Sequence, residues 1–148
     1  MILKILSKLA TMYLQKKYKF DKSVRFGFPI HISGNVKIGK NTYINAYSHI
    51  ISGPNSYVKI GENCAISYNV HIRSKTHDVE HIHNVIEKDI VIGNHVWIGA
   101  NVIVREGVKI GDNAVIGANS VVTHNIPSNA IVGGVPARII RIKGGEND

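Results

Sequence analysis

From Phe26 onward, an apolar residue returns at every sixth position of this chain. The series runs Phe26, Ile32, Ile38, Ile44, Ile50, then Ile60, Ile66, Ile72, then Ile86, Ile92, Ile98, Val104, Ile110, Ile116 and Val122. All fifteen positions are apolar and twelve are isoleucine. Four residues after most of them stands a small or β-branched residue: Val36, Thr42, Ser48, Cys64, Val70, Val96, Val102, Val108, Ala114 and Ser120. A period of six matches neither the 3.6 of a helix nor the alternation of a flat-sheet strand. It predicts an all-β solenoid, a parallel β-helix of short strands with one corner per hexad. Three hexads make a triangular coil, so the series amounts to about five coils.

The polar positions fit that winding. Three residues after the apolar position the chain repeatedly carries asparagine or glycine, at Asn35, Asn41, Asn63, Asn69, Asn101, Gly107, Asn113, Asn119 and Asn125. These residue types tolerate the left-handed backbone of a tight corner. Two breaks interrupt the period. Ten residues separate Ile50 from Ile60, placing an insertion around Gly53-Pro54-Asn55. Fourteen separate Ile72 from Ile86, so a loop over 73–85 should project from the solenoid, where binding residues gather. Spacing alone leaves handedness open, and the usual crossover rule points to a right-handed turn.

Before the repeat, residues 1–18 read as an amphipathic helix with Ile2, Ile5, Leu6, Leu9 and Tyr13 on one face. The expected organisation is a basic helical cap over 1–25, the repeat over 26–125 and a C-terminal tail over 126–148. A helix there can cover the open end of the solenoid or contact a subunit. Its lysines also permit peripheral contact with an anionic membrane.

Composition narrows the class. The formal net charge of +8 is concentrated in residues 1–25, which hold seven Lys or Arg against one acid, Asp21. Basicity without an aromatic-basic platform or a recognition helix argues against a nucleic-acid binder. The single cysteine, Cys64, falls at a core-type position, so no disulfide framework exists and a reducing compartment is expected. No apolar run is long enough to span a bilayer, and the first residues do not read as a secretory leader, since Lys4 and Lys8 interrupt their apolar stretch and no small-residue cleavage site follows. A cytoplasmic protein, or one at the inner face of the membrane, is expected.

The second half of the chain resembles a known family. The segments Ile92-Gly93-Asn94-His95-Val96-Trp97-Ile98-Gly99-Ala100, Gly107-Val108-Lys109-Ile110-Gly111-Asp112-Asn113, Val115-Ile116-Gly117-Ala118-Asn119-Ser120-Val121-Val122-Thr123 and Gly134-Val135-Pro136-Ala137-Arg138 carry the likeness. They resemble the hexapeptide-repeat acyltransferases, in the galactoside, maltose and polysaccharide O-acetyltransferase branch. The resemblance implies a left-handed β-helix, a homotrimer, and acetyl-CoA held in the groove between neighbouring subunits. Where the family usually has a lysine after the threonine matching Thr123, this chain has His124.

Acetyl transfer to a hydroxyl needs a base that works near neutral pH, and histidine suits it. Among eight histidines, His77 lies in the projecting insertion, and its Thr76-His77-Asp78 setting resembles the family's catalytic loop. His81 and His83 compete with it and raise a zinc reading like that of the γ-class carbonic anhydrases. Three ligands crowded on one loop suit that poorly, and no metal is expected. Asn45 matches a substrate-contacting asparagine, whose amide can both donate to and accept from a sugar hydroxyl. By resemblance, Trp97 flanks the pantetheine arm and the backbone at Ala100 and Ala118 meets its amides. Thr123, His124, Arg138 and Arg141 fall where the cofactor's phosphates are expected. The reading is an acetyl-CoA-dependent O-acetyltransferase acting on a saccharide hydroxyl of envelope polysaccharide or its precursors. N-acetylation of an amino sugar, a zinc hydratase and a silent β-helical scaffold stand as alternatives.

Overall fold

The computed structural model describes residues 1–144. The last four residues of the 126–148 tail lie outside that range. A helix, α1 (Ile2–Tyr18), precedes a run of strands mostly two or three residues long. These stack in parallel into three faces, the chain visiting each in turn before rising one step.

Each face is named here by its outward residues. The aromatic face stacks Arg25, Tyr43, Ala65, Trp97, Val115 and Ile131. The histidine face stacks His31, His49, His71, Ile103 and Val121. The lysine face stacks Lys37, Lys59, Val91 and Lys109. Inside lie the hexad residues other than Ile86, and Ile44, Ile50, Ile72 and Ile98 are wholly inaccessible to solvent. Each buried isoleucine contributes about 1.5–3 kcal/mol against an exposed one. All ten small or β-branched residues four positions further on are buried too, filling the corners. Thr42 and Ser48 sit there because their hydroxyls donate to the Gly61 and Ser67 carbonyls one coil along. Cys64 is a core thiol; burial, above all, pushes it up from its ordinary value.

At the corners, Asn41, Asn63, Asn69, Asn101, Asn113 and Asn119 adopt positive φ. Their amides form ladders, Asn69 bonding Asn101 and Asn101 bonding Asn119 at 3.0 Å each. His95 holds the same conformation, as does Tyr47, a bulky residue that rarely adopts it.

One expectation needs correction. Ile86 is not a core position. The coil that leaves the histidine face at Ile72 rejoins the solenoid at Ile90–Ile92, paired with Val58–Ile60, twenty residues after Ile72. Ile86 instead lies in a projecting hairpin, where Lys75–His77 pairs antiparallel with Val85–Glu87. The insertion therefore continues past residue 85. Local antiparallel pairing took the apolar residue that the period assigned to the core.

The helix α1 packs on the start of the solenoid. It lies against the first coil through Ala10, Thr11, Leu14, Gln15 and Tyr18, of which only Leu14 is fully buried. Thr11 bonds both the N–H and the carbonyl of Phe26, Gln15 Nε2 donates to the Lys22 and Val24 carbonyls, and the Tyr18 hydroxyl donates to the Ile32 carbonyl. Polar side chains thus satisfy a strand edge that no preceding coil covers. Of the apolar face read from the sequence, Leu6 is half-buried, whereas Ile2, Ile5, Leu9 and Tyr13 are exposed.

Candidate active site

The sequence-assigned residues fall mainly on the two edges that bound the histidine face. Along the histidine–lysine edge lie the hairpin with His77, then Arg105–Glu106, then Thr123–His124 in successive coils. Along the aromatic–histidine edge lie Asn45, then Tyr68, then Ala100, then Ala118, with Trp97 on the adjoining aromatic face. Within one chain His77 and Asn45 line different clefts.

The His77 cleft, about 220 Å3, is walled by Arg73, Lys75, Thr76, Ile103, Arg105 and Glu106. His77 is exposed, and its Nδ1 lies 2.7 Å from the Ile82 carbonyl oxygen. A carbonyl can only accept, so Nδ1 carries a proton, and in the neutral imidazole the lone pair is then on Nε2. That is the tautomer a general base needs. The turn that supplies Ile82 is built locally. Asp78 accepts from the Glu80 and His81 N–H groups, and its own N–H donates to the Asn84 carbonyl.

The hairpin is anchored to the first insertion. The Glu87 carboxylate accepts the Asn55 N–H at 2.7 Å, and Asp89 accepts the Tyr57 N–H at 3.0 Å. Ser56 and Ser74 bond each other, and both hydroxyls accept from the Gly53 N–H. A Cβ at Gly53 would meet the Glu87 carboxyl, so a larger residue there would displace that side chain from the first insertion. Beside the hairpin, Arg105 pairs with Glu106 at 2.7 Å.

The second cleft, about 400 Å3, lies between α1 and the aromatic–histidine edge. Its walls include Asn45, Tyr43, Tyr47, Tyr68 and Phe28. The Tyr43 hydroxyl donates to Asn45 Oδ1 at 2.6 Å, which turns the amide nitrogen outward as a free donor. Burial first, and neighbouring Tyr68 second, raise the Tyr43 hydroxyl above its ordinary value and keep it protonated. Exposed aromatic faces beside a fixed amide suit a ligand with apolar C–H faces and hydroxyl rims. The tyrosines were missed in the sequence. Tyr43 reads only as an outward strand residue, and Tyr47 and Tyr68 as corner residues.

Trp97 is 55% exposed. On its column Val115 and Ile131 follow, and Arg141 stands opposite Ile131 across the antiparallel return strand Arg138–Ile142. Four strands at ordinary spacing put Trp97 and Arg141 about 14 Å apart. Ala100 and Ala118 are stacked, the Asn119 N–H donating to the Ala100 carbonyl. Neither alanine N–H enters a backbone bond among the described residues, so both can serve a ligand. Thr123 and His124 bond each other at 2.8 Å on the opposite edge. Arg138 is exposed and donates to the Ala137 carbonyl. His81 and His83 are exposed on the hairpin, and among the described residues no three metal-ligating side chains converge.

Comparison with known proteins gives a consistent picture. The family pattern described as Bacterial transferase hexapeptide (six repeats) matches residues 89–124. The galactoside O-acetyltransferase of Escherichia coli (strain K12) is 42% identical over 122 residues, covering 76% of this chain and 58% of that protein. The chain thus spans less than two thirds of that relative's length. Among solved structures, the hexapeptide-repeat acetyltransferase VCA0836 of Vibrio cholerae in complex with acetyl coenzyme A superposes with a TM-score of 0.77 at 30% identity, over 93% of this chain and 78% of that one. A galactoside acetyltransferase in complex with coenzyme A gives 0.73 at 33% identity, over 92% and 80%.

Proposed function

The chain belongs to the hexapeptide-repeat acetyltransferases, left-handed parallel β-helices, and from that premise we propose that it moves the acetyl group of acetyl-CoA onto a saccharide hydroxyl with His77 as the general base. The observation that carries the proposal is the 2.7 Å contact of His77 Nδ1 with the Ile82 carbonyl oxygen, which makes Nδ1 the proton-bearing nitrogen of the neutral imidazole and leaves Nε2 to act as the base. In this reading Nε2 accepts the proton of the acceptor hydroxyl as its oxygen attacks the thioester carbonyl. The C–S bond then breaks, and the imidazolium returns the proton to the departing thiolate. Backbone N–H groups steady the developing oxyanion.

The separation of the two edges supports a site shared between chains. In a ring of three, the aromatic–histidine edge of one chain would meet the histidine–lysine edge of the next, with the histidine face turned to the axis. Each groove would then contain His77 from one chain and Asn45 with the tyrosine cleft from another. Trp97, Ala100, Ala118 and Arg141 would line the cofactor arm, Arg138 its phosphates, and Thr123 and His124 of the other edge would close the groove. The second cleft, which pairs aromatic faces with an oriented amide, supports a saccharide acceptor.

Free thiol released from acetyl-CoA, measured against a panel of saccharides and nucleotide sugars, tests the activity. Acceptor-dependent release is expected, and His77→Ala should lower the turnover rate by about a hundred- to ten-thousand-fold with the fold intact. Turnover abolished by His81→Ala but kept in His77→Ala would contradict the assignment.

A further inference from the structure

We infer that α1 docks the protein on an anionic lipid bilayer through the face it turns away from the solenoid. Ile2, Ile5, Leu9, Met12 and Tyr13 follow the spacing of one helical face and are 52% to 71% exposed. A stripe this long and apolar on the outside of a helix marks an interaction surface. The docking side of α1 is already occupied by Thr11, Leu14, Gln15 and Tyr18, so Ile2, Ile5 and Met12 stay clear of the first coil, while Leu9 and Tyr13 border a cleft shared with Phe28, Ile30 and Ile32.

Charge selects the partner. α1 contains no acidic residue, and Lys8 and Lys17 border the stripe on its two sides while Lys16 extends it. All three lysines are exposed, and Lys17 lies over the Tyr13 and Tyr18 rings at 5.7 and 5.2 Å. An apolar stripe with lysine borders matches the boundary between acyl chains and anionic headgroups, the lysines reaching outward to phosphate. A protein groove would supply the apolar contact but has no reason to demand cations along both borders. The bonds from α1 fall on the leading strands of the stack, so the stripe faces off the end of the solenoid. If three solenoids lie side by side, as proposed above, neighbours leave that end open and three helices point the same way. No helix among the described residues is long and apolar enough to cross a membrane, so this contact is peripheral.

Co-sedimentation of the full chain with vesicles tests the inference without any assay of acetyl transfer. The protein should pellet with mixed phosphatidylglycerol–phosphatidylcholine vesicles, stay in solution with phosphatidylcholine alone, and release as salt is raised. The double variant Ile5→Glu, Leu9→Glu should bind anionic vesicles at least about tenfold more weakly while keeping its circular dichroism and oligomeric state. Failure of the wild type to pellet, or equal pelleting of the double variant, overturns the inference. A change of oligomeric state in the double variant overturns it as well, because a second copy would then cover the stripe.

Discussion

A histidine and an asparagine on different edges are each oriented by one hydrogen bond. The Ile82 carbonyl selects the His77 tautomer, and Asn45 Oδ1 takes the Tyr43 hydroxyl so that the amide nitrogen faces out. Tyr43→Phe removes that restraint while keeping the ring. We expect the Michaelis constant for the acceptor to rise about three- to tenfold, the worth of one net hydrogen bond, with that for acetyl-CoA unchanged. A variant with wild-type acceptor kinetics would mean that Tyr43 does not orient Asn45. His77 and Asn45 were legible as candidates because their neighbours match a family motif. The bonds that orient them were not, since each depends on a backbone carbonyl or a strand neighbour whose direction appears only once the corner is folded.

Among the elements, the coils were the easiest to read and the hairpin the hardest. Hexads such as Ile98, Val104 and Ile110 announce their faces because each coil repeats the same burial. The segment after Ile72 escapes that rule, since its own antiparallel pairing claims Ile86. Its position depends on Glu87. In Glu87→Ala the Asn55 N–H and the Ser56 hydroxyl lose a charged acceptor, weakening the anchor by about 1–3 kcal/mol. Faster hydrogen exchange at 75–87 and a turnover rate about tenfold lower are expected, the coil core exchanging as before. Unchanged exchange in the hairpin would refute the anchor.

The histidine face gives a second prediction at this scale. His49 stacks on His71 with centroids 4.8 Å apart and faces His31 at 5.7 Å. Desolvation, then the charges of His71, His31 and Arg73, hold the His49 imidazole below its usual value. The folded protein therefore binds fewer protons here than the unfolded chain, and stability falls as pH drops below the ordinary histidine range. Thermal midpoints should decline more between neutral and mildly acidic pH in the wild type than in His49→Gln. Parallel declines would remove His49 as a source of the acid sensitivity.

For the whole molecule, the fold class followed from the period of six, whereas the assembly of the site did not. His77 and Asn45 sit on separate edges of one face, and sequence order carries no information about which edge of another chain each would meet. The direct test is complementation between inactive variants. His77→Ala and Asn45→Ala, each purified alone, should lose most of their activity. Unfolded together and refolded as mixed rings, they should recover about a quarter of the wild-type rate, because about three quarters of random trimers are mixed and each regains one site in three. Recovery at that level is the result expected of a groove built from two chains. No recovery, with mixed rings demonstrated by mass, would contradict it and return both residues to a single-chain site.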